Sequence, residues 1–339
     1  VESYLAGIWL LIIGFFLLYY AVTDGFDLGV GILCLFSRNP GERQLMVNSL
    51  TNIWHTNQTW LVIVGGILFG AFPMFYSVIF SALYIPAILM LVGLIFRGIA
   101  FDFSEDSKSR RFWNLNFGLG SLMATLAQGF ALGGLLGGIS VKDGRFAGGV
   151  WDWVSPFTFL VTLGVVVGYL MLGSNYLIMK TVGEVQQRNF RYSFVFSAGT
   201  LILSVSVYVW VNLMYPHAGA KWVSSSEVYH VVIAPLLSAL GFLMVFRSLH
   251  KRRETAPLVW NAVTVALGFI GLSVSLYPHM IPHVVSPVSV QQAAASPSTL
   301  IFMFVVTGVL LPVILFYTTY TYQVFRGKVT GEGSGSYAE

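Results

Sequence analysis

Nine long apolar runs, separated by short polar links, account for most of the chain: residues 4–34, 54–72, 74–101, 113–140, 156–179, 192–215, 229–248, 257–277 and 299–325. A helix needs about 20 mostly apolar residues to cross a bilayer, and these runs meet or approach that length. The pattern predicts an all-α polytopic membrane protein of about nine transmembrane helices, forming a single transmembrane domain over residues 1–326. The first run is long enough to tilt or to extend past the bilayer. Pro86 should kink the third span. The Phe72-Pro73 link is so short that the second and third spans should be antiparallel neighbours. The tail 327–339, GKVTGEGSGSYAE, is polar and glycine-rich and is expected to be a disordered cytoplasmic segment.

Composition narrows the class. Of 339 residues, 56% are hydrophobic and 9% charged, against roughly 25% charged in soluble domains. The single cysteine, Cys34, excludes a disulfide framework, a CxxCH haem attachment and a cysteine-ligated iron–sulfur cluster within this chain. The sequence pI of about 9.1 does not point to nucleic acid, because the cations lie in the short links between spans. With nine spans those links alternate between two sides. One side carries fourteen of the 18 Lys and Arg residues; the other carries Lys142, Arg145 and Lys221, and Arg97 lies within a span. The positive-inside rule then puts the N-terminus outside and the C-terminus in the cytoplasm.

Gly129, Gly133 and Gly137 recur every four residues in the fourth span, as do Gly164 and Gly168 in the fifth. Small residues at this spacing let helix backbones approach closely in lipid. Trp151 and Trp153, in the link 141–155, suit a membrane–water interface.

Polar residues inside or beside apolar runs are the candidates for chemistry, since they are costly there. Asp24 and Asp27 stand three residues apart and share a helix face, and Gly25, Gly29 and Gly31 keep that wall thin. His55, Asn57 and Gln58 sit at the mouth of the second span. Imidazole titrates near neutral pH and can relay protons, and the amides can hold water beside it. Arg97 needs a carboxylate, with Asp24, Asp27 and Asp102 as candidates, or else it snorkels to the headgroups. His279 and His283 flank Pro282 in a link, and His217, His230 and His250 lie near span ends. No metal-ligand constellation, nucleotide loop or nucleophile triad is present in the sequence.

Together these stretches closely resemble subunit II of the cytochrome bd-type quinol oxidases. The resemblance is carried by VTDGFDLGVGIL (22–33), NSLTNIWHTNQTWLVIVGG (48–66), FRGIAFDF (96–103), QGFALGGLLGG (128–138), NYLIMKTVGE (175–184) and LPVILFYTTYTY (311–322). It implies two four-helix bundles, helices 1–4 and 5–8, with a ninth peripheral helix. It implies a non-haem subunit paired with a haem-bearing subunit I. That partner holds haem b and haem d, or a third haem b, and carries the quinol site. The enzyme would oxidise quinol, reduce oxygen to water and build a proton gradient across the bacterial cytoplasmic (inner) membrane. Subunit II would stabilise subunit I and provide proton and oxygen access, with room for a structural quinone or lipid and a small accessory subunit. Asp24 and Asp27 match the family's aspartates, and Trp60 matches a tryptophan near the oxygen entrance. His55 stands where the family has a proton-path acid, which puts a carboxylate-dependent route at that point in doubt.

A secondary transporter, with a site built from Asp24, Asp27, His55 and Arg97, is the alternative from a different class. Many spans and a few intramembrane charges suit it, but no internal repeat of paired broken helices is evident.

Overall fold

The computed structural model describes residues 2–104, 110–214, 228–281, 288–329 and 337–338. Twelve helices occupy most of them. The first apolar run becomes α1 (Glu2–Phe36), 35 residues long. At 1.5 Å per residue this is about 50 Å, well beyond a hydrocarbon core of about 30 Å. Every residue from Thr23 to Cys34 is buried. A helix apolar all round is one that neighbours surround, and this end of α1 is the central strut of the molecule.

A short helix, α2 (Pro40–Asn48), follows; Pro40 opens it and the Asn39 side chain caps it by accepting from the Gly41 N–H. Then come α3 (Trp54–Ala71), α4 (Pro73–Ala82) and α5 (Tyr84–Ser104). The Phe72-Pro73 link is not a hairpin between two spans. The chain turns there by 119° into α4, because Pro73 has no N–H to continue α3. A second break at Leu83 precedes α5, three residues ahead of Pro86, so the expected kink is a discontinuity displaced from the proline. Helices α3 and α5 meet at one end, where Trp54 stacks on Phe101 with ring centroids 4.9 Å apart.

The remaining helices are α6 (Arg110–Gly137), α7 (Pro156–Lys180), α8 (Gly183–Met214), α9 (Val228–His250), α10 (Ala256–Leu276), α11 (Val290–Ala293) and α12 (Pro297–Val324). Among the described residues seven helices are long and apolar enough to cross a membrane, or eight if the bent α3–α4 pair is one span. The run 229–248 falls on α9, whose apolar part, Pro235–His250, is shorter. Helix α1 packs on α3, α6 and α7, α5 packs on α6, α7 on α8, and α9 on α10, while α12 lies against α3 and α1. Among the described residues three two-stranded pieces lie between or after the helices, including Val141–Lys142 with Arg145–Phe146, and Lys328–Val329 with Tyr337–Ala338 in the tail. Trp153 is buried, with Phe130 edge-on to it, whereas Trp151 is exposed.

Close backbone approach locks α1 to α7. A Cβ placed on Gly29 would lie 1.8 Å from the Tyr169 carbonyl oxygen, and one on Gly173 would lie 2.6 Å from the Gly29 carbonyl carbon. Glycines also serve the α6–α7 contact: a Cβ on Gly129 would lie 2.6 Å from Thr162 Cα, and one on Gly133 2.8 Å from Thr158 Cα. Gly137, third in that series, has only ordinary contact space, 3.7 Å from Phe157. The Gly164/Gly168 pair is equally roomy, at 3.9 and 4.0 Å from α8 side chains, and does not mark a close crossing.

Candidate functional site

The burial of α1 from Thr23 onward carries Asp24 and Asp27 into the interior, where both side chains are wholly buried. Arg97 of α5 meets them there. Its Nη2 donates to Asp24 Oδ1 at 2.6 Å, and both side chains have zero exposure. Arg97 therefore does not snorkel, and Asp102 is not its partner; Asp102 is exposed. An arginine buried at this depth requires such a carboxylate.

Asp27 is held by a neutral group instead. Asn57 Nδ2, from the first turn of α3, donates to Asp27 Oδ2 at 2.9 Å and lies 3.5 Å from the Thr23 carbonyl. Tyr322, near the end of α12, donates to Asn57 Oδ1 at 2.6 Å. On the other side of Asp24, one helical turn back along α1, the Tyr20 hydroxyl accepts from Gln128 Nε2 of α6 at 2.8 Å. Tyr169 of α7 then donates to Gln128 Oε1 at 2.7 Å. A polar track thus runs through the core from α12 and α3, past α1 and α5, to α6 and α7.

The track contains two carboxylates and one guanidinium, so one carboxyl is left without a cation. Asp24 Oδ2, Asp27 Oδ1, Arg97 Nε and Arg97 Nη1 have no hydrogen-bond partner among the described residues. Buried polar atoms of this kind are satisfied by ordered water or by a change of protonation. The arrangement can therefore hold a proton and bridge it to water.

The structure does not bring every candidate to this track. His55 lies on the exposed side of α3, stacked on Trp54 with centroids 3.6 Å apart, while Asn57 two residues on faces inward. Gln58 is half-buried. Trp60 is wholly buried against Tyr19 and Phe16, at centroid distances of 4.5 and 5.4 Å. Sequence reasoning missed Tyr20, Gln128, Tyr169 and Tyr322. Gln128 carried a signal, as an amide inside an apolar glycine-rich run; the tyrosines did not, because tyrosine is common in membrane spans.

Haem would need axial side chains such as histidine. Among the described residues His55 and His250 are exposed and His279 is half-buried, and no three His, Cys, Asp or Glu side chains converge. His217 and His283 lie outside the described residues, as does the side chain of His230.

Comparison with known proteins gives the family. The family described as cytochrome bd terminal oxidase subunit II matches residues 5–325. The chain is 31% identical to cytochrome bd-I ubiquinol oxidase subunit 2 of Escherichia coli K12, over 96% of this chain and 95% of that one. It is 25% identical to cytochrome bd ubiquinol oxidase subunit 2 of Bacillus subtilis 168, over 95% and 96%. A chain of the bd oxidase structure from Geobacillus thermodenitrificans superposes with a TM-score of 0.78 at 18% identity, covering 95% of this chain and 98% of that one.

Proposed function

Given that the chain belongs to the cytochrome bd terminal oxidase subunit II family and is a subunit of a quinol oxidase, we propose that its buried Asp24–Arg97 and Asp27–Asn57 pairs serve proton access to the haems of subunit I. The family places the chain in a complex with subunit I, in a membrane that it crosses several times. The transporter alternative is not favoured, since the match to the oxidase family covers nearly the whole chain.

The observation that carries the proposal is Asp27. It is a wholly buried carboxyl whose partner is an amide and not a cation. A buried carboxyl held by an amide can take up or release a proton without breaking an ion pair. Arg97 is bonded to Asp24, so the Asp27 carboxyl has no cation of its own and is free to exchange a proton. The haems, b-type with a d-type or third b-type centre, belong in this reading to subunit I, where they accept electrons from quinol and reduce oxygen. This chain's residues hold and pass protons and brace that partner. In this reading Trp60, buried against Tyr19 and Phe16, stands beside the oxygen entrance, as the family resemblance implies.

The remaining assignments rest on the cation distribution and on what the family resemblance implies. They are a bacterial cytoplasmic membrane, an N-terminus outside and a C-terminus inside, two bundles with α12 peripheral, a small accessory subunit, and a structural quinone or lipid. The test is purification through a tag on this chain, with and without subunit I. With subunit I, haem bands and quinol oxidation should co-purify; alone, the chain should be colourless and short-lived. A stable haem-loaded chain without subunit I would overturn the division of labour.

A further inference from the structure

Asn57 is the only side chain among the described residues that hydrogen-bonds the Asp27 carboxyl, so whatever orients Asn57 orients the proton site. Its amide has two faces. The NH2 is turned to Asp27, and the carbonyl oxygen accepts from Tyr322. Tyr322 comes from α12, a helix whose buried residues are Leu300, Thr318 and Thr321 alone. The end of that helix is pinned: Lys180 Nζ of α7 donates to the Phe325 and Gly327 carbonyls at 2.5 and 3.1 Å. The Tyr322 hydroxyl is therefore delivered to Asn57 from a fixed helix end.

The hydrogen-bond inventory gives this contact a further property. With Asp27 ionised, only the amide NH2 can face it, and Tyr322 must donate. With Asp27 protonated, the amide can turn over, so that its oxygen accepts from the carboxyl O–H and its NH2 donates to the Tyr322 oxygen. A hydroxyl can donate or accept, so both arrangements keep the Asp27–Asn57 and Asn57–Tyr322 hydrogen bonds; the turned amide gives up only the longer contact of its NH2 with the Thr23 carbonyl. The charged groups around Asp27 are Asp24 on its own helix and Arg97 on α5; neither bonds Asn57.

We propose that Tyr322 is a positioning residue for Asp27, holding the Asn57 amide against the carboxyl in either of two orientations that follow the proton on Asp27. The effect on turnover rests on the proton-access reading; the effect on the carboxyl does not. The test uses the whole oxidase with Tyr322→Phe, Asn57→Leu and both together, and the exposed Tyr317→Phe as control. Infrared difference spectra across a pH titration read the Asp27 carboxyl band, identified by its loss in Asp27→Asn. Tyr322→Phe should shift or split that band and slow turnover about fivefold, the fold-change of one net hydrogen bond. The double variant should be no slower than Asn57→Leu alone, because Tyr322 acts through the amide. An unmoved band in Tyr322→Phe, independent effects in the double variant, or no Asp27 band at any pH would each overturn the proposal. If Asp27→Asn turns over at the parent rate while Tyr322→Phe still moves the band, proton access fails and the positioning stands.

Discussion

Arg97 and Asp24 are 73 residues apart in the chain and 2.6 Å apart in the fold, and neither side chain is exposed. Breaking such a pair from one side leaves the other charge buried and alone, at a cost of about 3–5 kcal/mol. Arg97→Leu should therefore lower the amount of assembled oxidase and its melting temperature more than turnover per haem in what survives. Normal assembly with unchanged melting would mean that the pair does not hold α1 to α5.

The α1–α7 crossing makes a sharper steric prediction. Gly29→Ala forces a methyl group to within 1.8 Å of the Tyr169 carbonyl, and neither backbone can yield without parting the helices. Gly168→Ala meets its nearest atom at 4.0 Å. Membranes carrying Gly29→Ala should hold little folded oxidase, whereas Gly168→Ala should match the parent in yield and melting temperature. Equal yields from both would contradict the close crossing.

Outside the spans, on the short helix α2, Glu42 accepts from Arg188, near the start of α8, in a two-pronged contact at 2.6 and 3.3 Å. The Arg188 hydrogen bond, with help from Ser37, holds the Glu42 carboxyl below its ordinary value of 4.5. A lowered carboxyl stabilises the fold above its unfolded value and loses that contribution as pH falls through the folded one. Because both side chains are partly open to solvent, the contribution is at most about 1 kcal/mol. Glu42→Gln should lower the melting temperature by a degree or a few at pH 7 (roughly, from), and the gap to the parent should close below about pH 4.5. A gap that stays constant down to pH 4 would assign the effect to packing.

Much of this was legible in the chain. Apolar run length predicted the helices because lipid leaves backbone polar groups no other partner. Asp24, Asp27 and Arg97 stood out because charge is rare in such runs. Less was legible where register decides direction. His55 and Asn57 are two residues apart, about 200° around a helix (from), so one faces out when the other faces in. The apolar pattern at 54–58 is too short to say which. The break at Leu83 was hidden for a similar reason: residues 74–101 are continuously apolar, and hydropathy does not record a bend. Tyr322 lies 265 residues from Asn57, and no local pattern announces a contact of that range.

The inward face of Asn57 and the outward face of His55 separate two routes for protons. With oxidase sealed in vesicles and a pH indicator inside or out, proton uptake during quinol oxidation is measured for Asp27→Asn and His55→Leu, normalised to haem. Asp27→Asn should cut uptake and turnover together by about tenfold or more, in line with loss of a proton-transfer group, with haem spectra intact. His55→Leu should stay close to the parent rate. Parent-like uptake in Asp27→Asn, or a collapse in His55→Leu alone, would contradict a route through the buried carboxyl.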